Sequence, residues 1–174
     1  MPRIRLICLA CDRRQLARYQ TWAHVLGEPI ELVAVDITAL THTDQICATQ
    51  TLIDHLESFL EQPHAIFGQQ QGGCLALALT QLTQQRFPGQ TRHLFVSGCD
   101  CPGPAASDVC EHGLQVPVTV LYPSGSLPTM LGWQDLAHRE LELIELPAEA
   151  VDAPLLDQRL VSIVSTHLRL LSLQ

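Results

Sequence analysis

Phe67-Gly68-Gln69-Gln70-Gln71-Gly72-Gly73 is the stretch on which the reading of this chain turns. An apolar run, His64 to Phe67, leads into it, and an Ala/Leu-rich run, Cys74 to Leu82, leads out. That sequence of runs predicts strand, sharp turn, helix. Gly68 and Gly72 flank Gln70 symmetrically, which is the spacing of the G-x-S-x-G nucleophile elbow with glutamine at the serine position. Such an elbow needs small residues two before and two after its central residue, because strand and helix nearly touch there. The steric requirement is kept and the nucleophile is not. A neutral carboxamide carries no proton that a neighbouring base can remove to make a nucleophile.

Outward from the elbow, the chain alternates. Apolar runs at 4–9, 30–36, 93–97, 117–122 and 140–146 predict buried strands, with 64–68 before the elbow making six. Between them lie helical patterns: Gln15 to Leu26, closed by Gly27; a helix capped by Thr43-Asp44 that carries Ile46, Ile53, Leu56 and Leu60 on one face; the elbow helix to about Phe87; a short helix over Leu131 to His138. Pro154 suits the first turn of a last helix reaching Leu173. Alternating strands and helices predict an α/β fold, a doubly wound parallel sheet in the order 2-1-3-4-5-6 with helices on both faces. The whole of 1–174 reads as one domain without repeat or linker. Ligands of such sheets bind at the carboxyl ends of the strands, at the topological switch point. That puts the loop after the first strand, Cys11 to Arg14, beside the elbow.

Composition narrows the function classes. The chain has 174 residues, is 47% hydrophobic and carries a net charge of −8. It has no basic run, which argues against nucleic acid as a partner. Lysine is absent, so Schiff-base chemistry on a lysine is excluded. No apolar run reaches membrane-span length, and Ile4 to Ala10 is too short for a signal peptide. Seven cysteines, an odd number with no secretory context, read as reduced thiols of a cytoplasmic protein.

At this point the chain resembles the type II thioesterases, α/β-hydrolases that serve polyketide and nonribosomal peptide synthetases. Arg3-Ile4-Arg5-Leu6-Ile7-Cys8 is similar to the family's opening strand, and Trp22 falls where its first helix carries a Trp. Gly68-Gln69-Gln70-Gln71-Gly72-Gly73 stands for the elbow, His93-Leu94-Phe95-Val96-Ser97-Gly98 for the following strand, and Pro117 to Tyr122 for the strand that leads to the triad acid. The resemblance implies an acyl-thioester hydrolase acting on carrier-bound intermediates. The departures are larger. The serine position is Gln70; the Gly-rich oxyanion loop is Ala10-Cys11-Asp12-Arg13-Arg14; Pro123 to Thr129 holds no acid; Pro147 to Asp152 holds no histidine. Only Cys99 to Val116 separates Gly98 from Pro117, where the family has a helical lid, so the lid reads as deleted.

Several side chains have both a functional and a plain reading. Gln69, Gln70 and Gln71 can hydrogen-bond a carboxamide or a pantetheine arm, or can simply fill the vacated pocket. Cys99, Cys101, Cys110 and His112 are four soft zinc ligands by type, but their spacing is unlike paired C-x2-C knuckles, so no metal or other cofactor is expected. Cys11 or Cys101 with His112 as base is a route to a substitute nucleophile. Cys74 reads as a small buried hydrophobe. Arg13, Arg14 and Arg18, at the start of the first helix, are either a phosphate site or a solvated face.

These residues together lead to a catalytically degenerate, lidless thioesterase-like protein that binds a carrier domain, an acyl ligand or a biosynthetic partner enzyme. The alternatives are an acyl hydrolase or acyltransferase using a cysteine, and a zinc-stapled structural subunit. The last helix bears on partners. Leu156, Leu160, Ile163, Val164, His167 and Leu171 recur at helical spacing, and Leu155, Val161, Leu168, Leu170 and Leu173 widen that face. With the lid gone, this predicts an interface, as a homodimer or with another protein, at the Cys99–Val116 loop and the outer side of the last helix.

Overall fold

In the computed structural model, residues 3–99, 113–146 and 153–173 are described, the side chains of the last segment from 155 onward. The chain runs β1 (Ile4–Ala10), α1 (Arg13–Leu26), β2 (Ile30–Asp36), a 3-10 turn (Thr38–Leu40), α2 (Gln45–Leu60), β3 (His64–Gln69), α3 (Gln71–Arg86), β4 (Thr91–Ser97), β5 (Val118–Pro123), α4 (Leu127–Met130), α5 (Trp133–Leu136), β6 (Leu141–Leu146) and α6 (Ala153–Leu171). The strands form one six-stranded sheet in the order β2-β1-β3-β4-β5-β6, and every pair is parallel. This is the expected order, and it is the one that right-handed crossovers produce when β1 starts centrally.

The strands are buried on both faces, which explains their near-continuous apolar character. In β1, Ile4, Leu6, Cys8 and Ala10 pack with Tyr19 and Trp22 of α1 and Leu160, Val164 and Leu168 of α6. Ile7 and Leu9 point the other way, toward Leu52 and Leu56 of α2 and Leu79 of α3. Between those layers the chain leaves β1 for β2 on one side, then crosses to β3 on the other. The switch point therefore lies between β1 and β3, where Leu9 pairs with Gly68.

Local expectations need three corrections. The helix expected over Leu131 to His138 is a single turn, α5, and a separate turn, α4, with Pro128 in its first positions, precedes it. Ile46 is 73% exposed although it shares the apolar spacing of α2. It sits in the first turn of that helix, and the buried face begins only at Ala48. Cys74 is exposed, not buried. On α6, Val161 and Leu168 are buried, while Leu155, Leu170 and Leu173 lie exposed and leave apolar side chains outside the stripe that the sheet covers.

Candidate functional site

The elbow is built as its glycines dictate. Gln70 has φ 53° and ψ −121°, and among the described residues it is the one non-glycine with positive φ. A side chain in that region costs on the order of 1–3 kcal/mol and persists only where its surroundings enforce it. The enforcement is visible. A Cβ on Gly68 would lie 2.2 Å from the carbonyl oxygen of Gly72. A Cβ on Gly72 would lie 3.0 Å from the Leu9 carbonyl oxygen, and one on Gly73 2.8 Å from Cys99 Cβ. The Gln70 N–H donates to Ser97 O at 2.9 Å, and Gly73 N–H donates to Gln70 O at 3.0 Å. The turn is thereby fixed from both sides.

The three glutamines separate in role. Gln69 is buried, and its side-chain carbonyl accepts the Tyr19 hydroxyl at 2.7 Å, so it fills the space under the turn. Burial raises Tyr19, so the phenol stays the donor. Gln70 and Gln71 are exposed at the carboxyl edge of the sheet. Beside Gln71 lies a cleft of about 250 Å³ whose wall includes Ile37, Leu40, Ala48 and Leu75, with Cys74.

The loop after β1 closes on itself. Asp12 caps α1 by accepting the Gln15 N–H at 2.8 Å. The Gln15 side chain folds back, and its carbonyl oxygen accepts the Cys11 N–H at 2.9 Å. In an elbow hydrolase an amide from the first loop joins the amide after the nucleophile to form the oxyanion hole. Here the Cys11 amide is already bonded. Cys11 Sγ approaches Gln69 O at 3.8 Å, and burial raises its thiol, a shift against thiolate formation.

The arginines do not converge. Arg13 and Arg14 are exposed, at a helix start that the Asp12 carboxylate already caps. Arg18 binds both carboxylate oxygens of Asp157, with Nε to Oδ2 at 2.8 Å, and so ties α1 to α6. Cys101, Cys110 and His112 lie outside the described residues, so the zinc set and the Cys101–His112 pair have only Cys99 within them. Among the described residues no group of three or more His, Cys, Asp or Glu is arranged to hold a metal.

Three histidines of the sheet and α6 are engaged elsewhere. His64 pairs with Gln62 O and Thr91 Oγ1, both at 2.8 Å, at the amino end of β3. His93 pairs with Thr119 Oγ1 at 2.7 Å, and burial, aided by His167, lowers it to about 3. His167 pairs with Glu142 Oε1 at 2.8 Å. None of these contacts is at the elbow. The strand-to-helix turn at Gln70 lies where the glycine spacing predicts it, while Gln15 and Tyr19 beside it were not singled out from the sequence. Their signal was present: Gln15 and Tyr19 share one face of α1, four residues apart, on the side facing the switch point.

Neither a protein-family model nor a curated protein matches the sequence. Solved structures do. The thioesterase RedJ from the prodiginine biosynthetic pathway of Streptomyces coelicolor matches with a TM-score of 0.75 at 19% identity, over 94% of this chain and 89% of that one. ClbQ from the colibactin NRPS/PKS pathway matches with a TM-score of 0.76 at 18% identity, over 98% and 99%. The type II thioesterase BorB from the borrelidin biosynthetic cluster matches with a TM-score of 0.73 at 16% identity, over 96% and 92%. The fold of this chain is that of these α/β-hydrolase thioesterases.

Proposed function

We propose that this thioesterase-like protein binds without cleaving: a non-catalytic subunit that holds an acyl- or pantetheine-bearing carrier domain, or a biosynthetic partner enzyme, in chemistry of the polyketide or nonribosomal peptide type. The observation that carries this reading is Gln70 in the strained elbow conformation. The backbone that presents a nucleophile is retained, and what it presents is an amide. An exposed carboxamide both donates and accepts, and so complements the amides of a pantetheine arm. The cleft next to Gln71 has a mixed wall, apolar at Ile37, Leu40, Ala48 and Leu75 and polar at Thr41, Thr43 and Gln45. At about 250 Å³ it is smaller than the usual 300–1,000 Å³ of small-molecule sites, which suits a short acyl chain or the end of the arm.

Two features speak against turnover by substitute residues. The Cys11 thiol is raised by burial, and its backbone amide is bonded to Gln15. The segments that would supply the acid and the base contain neither. Titration calorimetry against a holo carrier domain and its apo form tests the reading. Binding that requires the pantetheine arm and weakens about tenfold in Gln70→Ala, a loss of about 1.4 kcal/mol, is the expected result. Steady hydrolysis of an acyl-pantetheine thioester by the native chain, abolished in Cys11→Ala, would instead make it an enzyme.

Of the two positions expected for a partner surface, most of the Cys99–Val116 loop lies outside the described residues, and the last helix exposes Leu155, Leu170 and Leu173. A groove of about 410 Å³ runs between α1 and α6, with Trp22, Val25 and Val161 in its wall and Asp157 and Ser162 beside them. It lies on the sheet face opposite α3. Its position suits docking of a protein partner or a second copy and not the chemistry of the elbow.

A further inference from the structure

Cys74 and Cys99 are 25 residues apart, on different elements, and the fold brings their sulfurs to 3.4 Å. Cys74 is the fourth residue of α3, exposed, and lines the cleft beside Gln71. Cys99 lies two residues beyond β4 and is 3% exposed. The backbones approach closely as well, since only a glycine at position 73 leaves room for the Cys99 side chain. A disulfide needs its sulfurs at about 2 Å, so this pair has roughly 1 Å to close, within reach of side-chain rotation.

We propose that Cys74 and Cys99 are a redox pair, a modification site in which an oxidant reaches Cys74 through the cleft and Cys99 closes a disulfide. With a peroxide as oxidant the step balances. The Cys74 sulfur attacks one peroxide oxygen, the O–O bond breaks, and a sulfenic acid and one water result. The Cys99 sulfur then attacks the sulfenic sulfur, the S–S bond forms, the S–O bond breaks, and a second water leaves. Two thiols lose two electrons in total, and one hydrogen peroxide becomes two waters. The bridge withdraws Cys74 from the cleft wall and ties the first turn of α3 to the exit of β4. Oxidation thus reshapes the cleft beside Gln71, and this holds whatever the cleft binds.

The test is mass spectrometry on the full, reduced chain treated with equimolar hydrogen peroxide and then alkylated. The expected product has lost two hydrogen atoms, contains a Cys74–Cys99 crosslink and reverts with dithiothreitol. Cys99, Cys101 and Cys110 share one tryptic peptide and Cys47 and Cys74 share another, so fragment ions that split Cys99 from Cys101 and Cys47 from Cys74 assign the bridge in the native chain. The crosslink should persist in Cys11→Ser and in the double variant Cys101→Ser/Cys110→Ser, and vanish in Cys99→Ser. A principal product joining Cys74 to Cys11, Cys101 or Cys110 would overturn the pairing. So would sulfinic acid accumulating at Cys74 with no crosslink.

Discussion

Two strand-to-helix turns meet at the switch point of this sheet, and they are opposites. The turn from β1 to α1 is relaxed and self-contained. Asp12 caps the helix, and Gln15 returns to the Cys11 amide. The turn from β3 to α3 is strained, with Gln70 at φ 53°, and no side chain caps its helix. In a hydrolase of this fold both turns aim amides at one oxyanion. Here one has turned its amide inward and the other still holds its shape. Strain kept at a position that presents an amide is the observation on which the proposed binding role rests.

The largest effect should come from the elbow's packing. In Gly68→Ala the new methyl would meet the Gly72 carbonyl at 2.2 Å, a backbone atom that cannot step aside without moving α3. A loss of about 3 kcal/mol or more in urea unfolding is expected. A loss under about 1 kcal/mol would show the elbow to be loose, and the contrast between the turns would collapse.

The next effect separates the two helix starts. Asp12→Ala removes a cap and should cost about 1 kcal/mol. Gln70→Ala removes no cap and should leave the left-handed backbone and its cost in place. Gln70→Gly, by contrast, should stabilise. Relief of a strain on the order of 1–3 kcal/mol outweighs the added freedom of glycine in the unfolded chain, about 0.5–1 kcal/mol. A net gain of about 0.5–1 kcal/mol is expected, read as a shift in urea midpoint at unchanged slope.

Most of the fold was legible because its determinants are local or periodic. The six apolar runs, the Gly68/Gly72 spacing and the Asp44 cap each constrain neighbours in sequence, and the strand order follows from handedness. What was not legible depends on contacts between distant residues. Gln15 reaching Cys11, Tyr19 reaching Gln69 and Cys74 reaching Cys99 leave no periodic trace, because polar pairing across elements is set by how helices seat on the sheet. Cys74 shows the limit well. It follows two glycines in an Ala/Leu run and has the pattern of a core residue, yet it lines the cleft and is exposed while Gly72, Gly73 and Leu75 around it are buried. Spacing also tells which residues share a helix face and not how wide a stripe the neighbour covers, so the burial of Val161 and the exposure of Leu155 and Leu170 needed the structure.

The smallest expected effect is the most informative about the comparison. Gln70→Ser restores the elbow's hydroxyl on a backbone already in position, so if the nucleophile alone were missing, hydrolysis of acyl-thioesters should return. A serine needs a base within hydrogen-bond reach to lose its proton and amide donors to hold the oxyanion that forms. His64 and His93 are bonded to threonines within the sheet, and burial lowers both, so neither is placed to serve. The Cys11 amide, one of the two oxyanion donors, stays bonded to Gln15. Gln70→Ser should therefore remain at background, measured as free thiol released from an acyl-pantetheine substrate. Adding Gln15→Ala frees the Cys11 amide and should raise the rate little, since His64, His93 and His167 all have their partners away from the elbow. Turnover in Gln70→Ser alone would mean that the β1–α1 turn opens to offer its amide after all, and that the two turns differ in resting state and not in capacity.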